Sequence, residues 1–223
     1  MKTYQCVVFD WDGTLMDSIQ KIVECLQAAA QDVDLPVPTR NVARNVIGLG
    51  LNESMLTVFG EISETKVLEL VERYKFHFVE KNRTSQRFYS SVKFGLNTLD
   101  QTGVGLCVAT GKARRGLDRI LKQEQLESFF LYTRCADESR SKPHPQMLLD
   151  VLAYTALNPE QVLMVGDTSY DMEMAVAAKI DAVGITYGAH SSEQLLSSGA
   201  NHLVDDFQEL LGWLLPRIEK MYQ

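Results

Sequence analysis

Val7-Val8-Phe9-Asp10-Trp11-Asp12-Gly13-Thr14 is the stretch on which the reading of this chain turns. The apolar run from Cys6 to Phe9 is β-branched and aromatic with no polar break, which predicts a buried strand. It ends in two carboxylates, Asp10 and Asp12, two residues apart. Extended backbone has a side-chain period of two, so these carboxylates lean one way and Trp11 the other. Like charges that close repel each other unless a cation or a shared proton relieves them. Gly13 permits a tight bend just after them. Paired carboxylates at the carboxyl end of a buried strand suggest a site for a hard cation, and Mg²⁺ favours oxygen ligands. A bare Asp-x-Asp-Gly also fits an ordinary acidic turn, since Asp and Gly are common turn formers. The rest of the chain decides between the two.

A chain of 223 residues can bury a full core and fits one or two domains. Its hydrophobic content of 45% and charged content of 23% are those of a soluble globular protein. The formal net charge of −7 argues against a nucleic-acid or anionic-membrane surface, which needs a basic footprint, but allows a small anion in a locally positive pocket. Cys6, Cys25, Cys107 and Cys135 form no close metal-type pair and no disulfide framework, which favours a reducing cytoplasm. Cys6 and Cys107 sit in strand-like runs and read as buried thiols. The N-terminus lacks a signal-peptide pattern, and no apolar run is long enough to span a bilayer.

After Thr14 the periodicity switches to helical. Asp17 and Ser18 are N-cap candidates, followed by Ile19, Ile22, Val23, Leu26, Ala30 and Val33 at helical spacing. Leu35-Pro36-Val37-Pro38 stops that helix, and Thr39 is placed to cap a short second one. A glycine-containing turn, Val46 to Asn52, precedes another amphipathic helix marked by Val67, Leu70, Val71, Tyr74 and Phe78. Asp17 to Arg87 therefore reads as helical throughout, a unit inserted after the first strand. From Phe88 onward strands and helices alternate. Strands are predicted at Val104–Ala109, weakly at Phe129–Tyr132, and at Val162–Val165, Ala182–Ile185 and His202–Val204. Helices are predicted at Val92–Leu99, around Leu117–Leu121, behind Pro145, at Met172–Lys179 and from Phe207 to Leu215. This alternation implies an α/β fold with a parallel sheet covered on both faces.

Three apolar strands end in reactive groups: Asp10 and Asp12, then Thr110, then Asp167. Ligands in open α/β sheets bind beyond the carboxyl ends of strands, so these distant residues can share one pocket. With Asp171, Lys142 and Lys112 nearby, the set offers what a phosphoryl group needs: charge neutralisation and positioning. Phe-Asp-Trp-Asp-Gly-Thr, Thr-Gly-Lys at 110–112, the lysine of Ser-Lys-Pro-His-Pro at 141–145, and Gly-Asp-Thr-Ser-Tyr-Asp at 166–171 resemble, in order, the four motifs of the haloacid dehalogenase-like hydrolase superfamily. Within it the chain most resembles the phosphoglycolate phosphatase-like group.

The resemblance implies a Rossmann-like catalytic core at residues 1–16 and 88–223 and a helical cap at 17–87. It implies a Mg²⁺-dependent phosphatase acting on a small phosphorylated metabolite, as a monomer or small homo-oligomer. Asp10 would be the nucleophile that forms an aspartyl-phosphate. Asp12 would be the general acid and then the base, its main-chain carbonyl also touching the metal. Thr110 and the amides after it, at Gly111, would hold phosphate oxygens. Lys142 would pair with Asp10 and the phosphate, and Asp167 would be the second carboxylate ligand, with Asp171 supporting it. Substrate contacts are expected at Gly13, at Gly111, and in the cap at Gly48 and Arg44, with Asn52 next to them. The two connections, near Leu15–Asp17 and Arg87–Tyr89, are expected to act as a hinge. Lys112 is left between solvent and pocket, and His144 and His190 read as bystanders.

Rival readings use the same residues. A β-phosphoglucomutase-like transferase or a pyrophosphatase would carry the same four motifs. A non-catalytic phosphate- or partner-binding protein would be expected to have lost one of Asp10, Asp12, Lys142 or Asp167, and all four are present. Asp12 argues against dehalogenation, because true dehalogenases of the superfamily lack an acid there. A phosphonate-cleaving enzyme needs a cap lysine in an apolar pocket, and Lys21, Lys66, Lys75 and Lys81 show no such pattern. Ser90 stands where relatives usually have proline.

Overall fold

A computed structural model describes residues 2–221. In chain order the elements are β1 Cys6–Phe9, β2 Met16–Asp17, α1 Ile19–Asp32, α2 Arg40–Arg44, α3 Leu51–Phe59, α4 Glu64–Phe76, β3 Arg87–Phe88, α5 Val92–Thr102, β4 Gly105–Thr110 and α6 Arg114–Gln123. They continue with β5 Tyr132–Cys135, α7 Gln146–Thr155, β6 Val162–Gly166, α8 Ser169–Ala178, β7 Asp181–Ile185, α9 Ser192–Ser197, β8 His202–Val204 and α10 Phe207–Leu214.

Six of the strands form one parallel sheet in the order β5-β4-β1-β6-β7-β8. β1 lies inside it, with Cys6 opposite Gly105 on one side and Val162 on the other. The period-two alternation divides each central strand between two cores. Val7, Phe9, Leu106, Val108, Leu163 and Val165 face one side, with the apolar residues of α5, α6 and α10. Cys6, Val8, Cys107, Ala109, Val162 and Met164 face the other, against α7 and α8. Continuous apolar strands are what a sheet buried on both faces requires. The chain is therefore an α/β protein with helices on both faces of a parallel sheet. No helix among the described residues is long and apolar enough to cross a membrane.

Helices α1 to α4 build a third apolar cluster around Val23, Leu26, Ala43, Met55 and Leu70, and Ala189 from the sheet side joins it. The chain leaves the sheet layer and returns to it through a two-residue antiparallel ladder, Met16 opposite Phe88 and Asp17 opposite Arg87. No strand was expected there, because two residues carry no periodicity. Thr39 does cap α2, accepting from the Val42 amide. After α4 the residues His77–Lys81 form a π-helical turn.

Two other expectations shift. The weak strand predicted at Phe129–Tyr132 lies three residues later, at β5. Phe130 is buried instead against Trp11, their ring centroids 6.0 Å apart, so the apolar pair fills the core rather than a ladder. Helix α8 starts at Ser169, three residues before the predicted Met172. A reciprocal cap between Thr168 and Asp171 sets that earlier start.

Gly95 sets how closely α5 approaches α10. A Cβ there would lie 2.4 Å from the Phe207 ring and 3.1 Å from Leu211. Helix propensity alone favours alanine over glycine by about 1 kcal/mol, but overpacking a filled core costs about 1–3 kcal/mol. Gly95→Ala is therefore expected to destabilise the protein in urea unfolding, and Gly95→Ala with Phe207→Leu to recover part of the loss. A stabilising Gly95→Ala would contradict this packing.

Candidate active site

Asp10 follows β1 directly, and its amide donates to the Val165 carbonyl, 2.9 Å away. This extends the ladder one residue and fixes the carboxylate at the strand end. Asp10 Oδ1 accepts from Lys142 Nζ at 2.5 Å, while Oδ2 is buried with no hydrogen-bond partner. Lys142 Nζ donates a second bond to Asp171 Oδ1, 2.6 Å away. Asp171 sits in the first turn of α8, where its Oδ2 accepts from the Thr168 amide and hydroxyl.

Asp167, at the end of β6, has both oxygens held. Thr14 Oγ1 donates to Oδ1 at 2.6 Å and the Ala189 amide to Oδ2 at 2.7 Å. The loop after β1 lies against it. Gly13 adopts φ +97°, and a Cβ there would lie 2.2 Å from Asp167 Oδ2. Gly13 is therefore needed for both its backbone conformation and the close approach.

Asp12 lies beside this group. Its Oδ1 accepts from Ser18 Oγ at 2.7 Å and its Oδ2 pairs with Lys112 Nζ at 2.8 Å. Ser18 was expected to cap α1; it occupies the N-cap position, but its side chain makes no capping bond and turns to Asp12. Trp11 points the other way, edge-on to Phe88 and Phe130. Thr110 ends β4, and its hydroxyl accepts from the Lys112 amide at 3.2 Å.

Asp10, Asp167 and Asp171 each offer an oxygen within 4.8 Å of the others. Three buried carboxylates against the single ammonium of Lys142 leave an excess of two negative charges when all are ionised. Burial, reinforced by Asp171 and Asp167, holds the Asp10 carboxyl well above its usual range despite Lys142. Burial and the Asp171 charge push Asp167 up to about 7. Burial alone would lower Lys142, but Asp10 and Asp171 outweigh it and raise it above its ordinary value. A divalent cation fits this set: all donors are hard oxygens, its charge matches the excess, and Asp10 Oδ2 has no other partner.

The turn between α2 and α3 lies directly on this site. A Cβ on Gly111 would lie 2.5 Å from the carbonyl oxygens of both Gly48 and Leu49, and a Cβ on Gly48 would lie 3.0 Å from Thr168 Oγ1. The Gly50 amide donates to Ser141 Oγ at 2.8 Å. Arg44 differs from its expected role. Its guanidinium is engaged by main-chain carbonyls, Nε donating to Ala189 O at 2.7 Å and Nη2 to Gly188 O. Asn52 is exposed. His190 is buried and makes main-chain contacts only, accepting from the Ser169 amide at Nδ1 and leaving Nε2 to donate to Asn45 O at 3.2 Å. His144 stays local, its Nδ1 accepting from the Gln146 amide.

Sequence reading passed over several of these contacts. Thr14 closes the first motif with no role assigned to it, and Ser18 reads only as a cap residue. The Gly188-Ala189 segment has no motif character at all. Phe78, read as helix core, faces two ammonium groups, Lys112 Nζ at 5.2 Å and Lys21 Nζ at 5.0 Å from its ring centroid.

Comparison with known proteins agrees with this arrangement. Residues 7–185 match the family model described as haloacid dehalogenase-like hydrolase. A probable phosphatase, IndB, of Dickeya dadantii is 32% identical over 92% of this chain and 91% of its own length. A phosphoglycolate phosphatase of Mannheimia succiniciproducens is 29% identical over 93% of this chain and 97% of its own. The crystal structure of a predicted phosphatase from Clostridium acetobutylicum superposes with a TM-score of 0.86 at 25% identity, covering 96% of this chain and 99% of that one. The sheet order, the carboxylates at its strand ends and these matches agree: the chain belongs to the haloacid dehalogenase-like hydrolases, in their phosphoglycolate phosphatase-like group.

Proposed function

We propose that the protein is a Mg²⁺-dependent phosphatase that hydrolyses a small, acid-bearing phosphate ester of the phosphoglycolate type through an aspartyl-phosphate on Asp10. The observation that carries this reading is the asymmetry of Asp10. One oxygen is anchored by Lys142, and the other is buried and unpartnered in a residue of the carboxylate cluster.

In the proposed reaction the Asp10 carboxylate attacks phosphorus, and the bond from phosphorus to the ester oxygen breaks. Asp12 gives its proton to the departing oxygen. Asp12 then takes a proton from water, whose oxygen attacks the acyl-phosphate phosphorus. Inorganic phosphate leaves and the Asp10 carboxylate is restored. Ser18 and Lys112 hold the Asp12 carboxylate in place. The Thr110 hydroxyl and the amides that follow it bind phosphoryl oxygens, and Lys142 keeps Asp10 oriented and neutralises charge. Asp10 and Asp167, with the main-chain carbonyl of Asp12, would hold Mg²⁺, which when bound supplies positive charge to the phosphoryl oxygens. Asp171 supports the set through Lys142.

The acid-bearing substrate is supported by the seam over Asp12, as well as by the names of the relatives. Lys112 and Lys21 both reach the ring of Phe78; Lys112 is paired with Asp12, whereas Lys21 donates to the Asn82 carbonyl at 3.1 Å and makes no salt bridge among the described residues. Such a seam suits the second anionic group of a substrate whose phosphoryl group sits at Asp10. The unit from 17 to 87 acts in this reading as a lid that closes over the substrate and excludes water.

Four measurements test the proposal. EDTA is expected to abolish phosphate release and Mg²⁺ to restore it. Asp10→Asn should trap no phosphate on the protein, and Asp12→Asn should lower kcat by roughly 10²–10⁴-fold; full activity without metal, or phosphate trapped on Asp10→Asn, would refute the chemistry. Lys21→Met should lower kcat/KM for 2-phosphoglycolate by roughly tenfold or more, the loss of one charge-assisted contact, with little change for an aryl phosphate monoester whose aryl group carries no second acid. Equal losses on both would remove Lys21 from substrate recognition.

A further inference from the structure

Arg44 is the one guanidinium here whose hydrogen bonds lead to a carboxylate at the centre of the site without touching it. It ends α2, in the cap, and donates to Gly188 O and Ala189 O in the core. The Gly188 carbonyl and the Ala189 amide belong to one peptide unit, which is planar. Arg44 holds its oxygen end, and its N–H end donates to Asp167 Oδ2 at 2.7 Å. The same segment is pressed against the carboxylate: a Cβ on Gly188 would lie 2.1 Å from Asp167 Cβ, and the His190 amide donates to Asp167 O at 3.1 Å.

We infer that Arg44 is a positioning residue for the metal ligand Asp167, acting through the Gly188–Ala189 peptide, so that docking of the cap and binding of Mg²⁺ strengthen each other. The inference rests on Asp167 being a metal ligand. Because the peptide is rigid, fixing its carbonyl fixes the direction of its N–H and with it the rotation of the Asp167 carboxylate. A cation on the carbonyl also polarises the unit and strengthens the N–H as a donor. Partners behind a metal ligand set its orientation and its affinity for the ion. Because Arg44 comes from the cap, coupling is reciprocal: whatever docks the cap tightens the metal, and the metal favours the docked cap. Arginine suits this place because its planar fork spans two neighbouring carbonyls, which a lysine cannot do.

Calorimetric titration of Mg²⁺ into the full chain tests this without reference to turnover. Arg44→Ala is expected to raise the Mg²⁺ Kd by roughly tenfold to a hundredfold, and Arg44→Lys by an intermediate factor. In turnover, the loss in Arg44→Ala should be the same for 2-phosphoglycolate and an aryl phosphate and should shrink at high Mg²⁺, which loss of a substrate contact would not produce. A folded Arg44→Ala with unchanged Mg²⁺ Kd overturns the inference and leaves the proposed reaction standing. If Arg44→Ala does not fold, an Arg44→Lys protein with unchanged Kd overturns it equally. A wild-type chain that binds no Mg²⁺ overturns the metal reading, and the inference with it.

Discussion

The site depends on one buried ammonium group. Lys142 is enclosed between Asp10 and Asp171, with no part of its side chain exposed. Taking charges out of water is costly, and a buried pair rarely stabilises a fold relative to apolar packing of the same volume. Lys142 is therefore better understood through what it organises. It fixes one oxygen of Asp10, holds Asp171 against Thr168, and still leaves the three carboxylates two positive charges short. Burial first, and then the neighbouring carboxylates, raise Asp10 and Asp167. Fixed donors on Thr14 and Ala189 keep the Asp167 carboxylate in place although its charge is poorly tolerated there. A divalent cation at these oxygens, as proposed, would offset the charge that Lys142 alone leaves unbalanced.

The parallel sheet makes this concentration possible. β1, β4 and β6 are adjacent and end at the same edge, so Asp10, Thr110 and Asp167 converge from positions far apart in the chain. Apolar packing on both faces holds the strands, and the polar groups project beyond the core where no ladder or core contact competes for them. Stability and chemistry are thereby divided between the middle and the end of each strand.

The seam between the α1–α4 unit and the sheet is of another kind. Its closest approaches are main-chain: Gly48 and Leu49 carbonyls over Gly111, the Gly50 amide on Ser141, and Arg44 on Gly188 and Ala189. Polar contacts of this sort lose little when they exchange partners with water, in contrast to the buried apolar faces on either side. The chain crosses this seam twice, at the two strands of the short β2–β3 ladder. In the proposed lid reading such a surface parts and re-forms, and its contacts lead to the groups that hold Asp167.

The sequence alone determined the α/β class, the strand ends bearing Asp10, Asp12, Thr110 and Asp167, and the mainly helical character of the segment between β2 and β3, but not the short ladder that closes it at Asp17 and Arg87. Each follows from local signals: apolar runs, side-chain period, caps and prolines. It also determined the family, through four short motifs in order. The sequence did not determine which groups face one another across the seam. Arg44 looked like a substrate reader, yet it binds two carbonyls 144 and 145 residues away. Ser18 looked like a helix cap and holds Asp12. Phe78 looked like helix core and meets Lys112 from within a π-helical turn that no periodicity announces. The Gly188–Ala189 peptide carried no signal, because its function lies in main-chain atoms that every residue has. Local patterns fix what a residue can do; only the packing of two layers decides which backbone or side chain it meets, since that contact depends on every crossing between them.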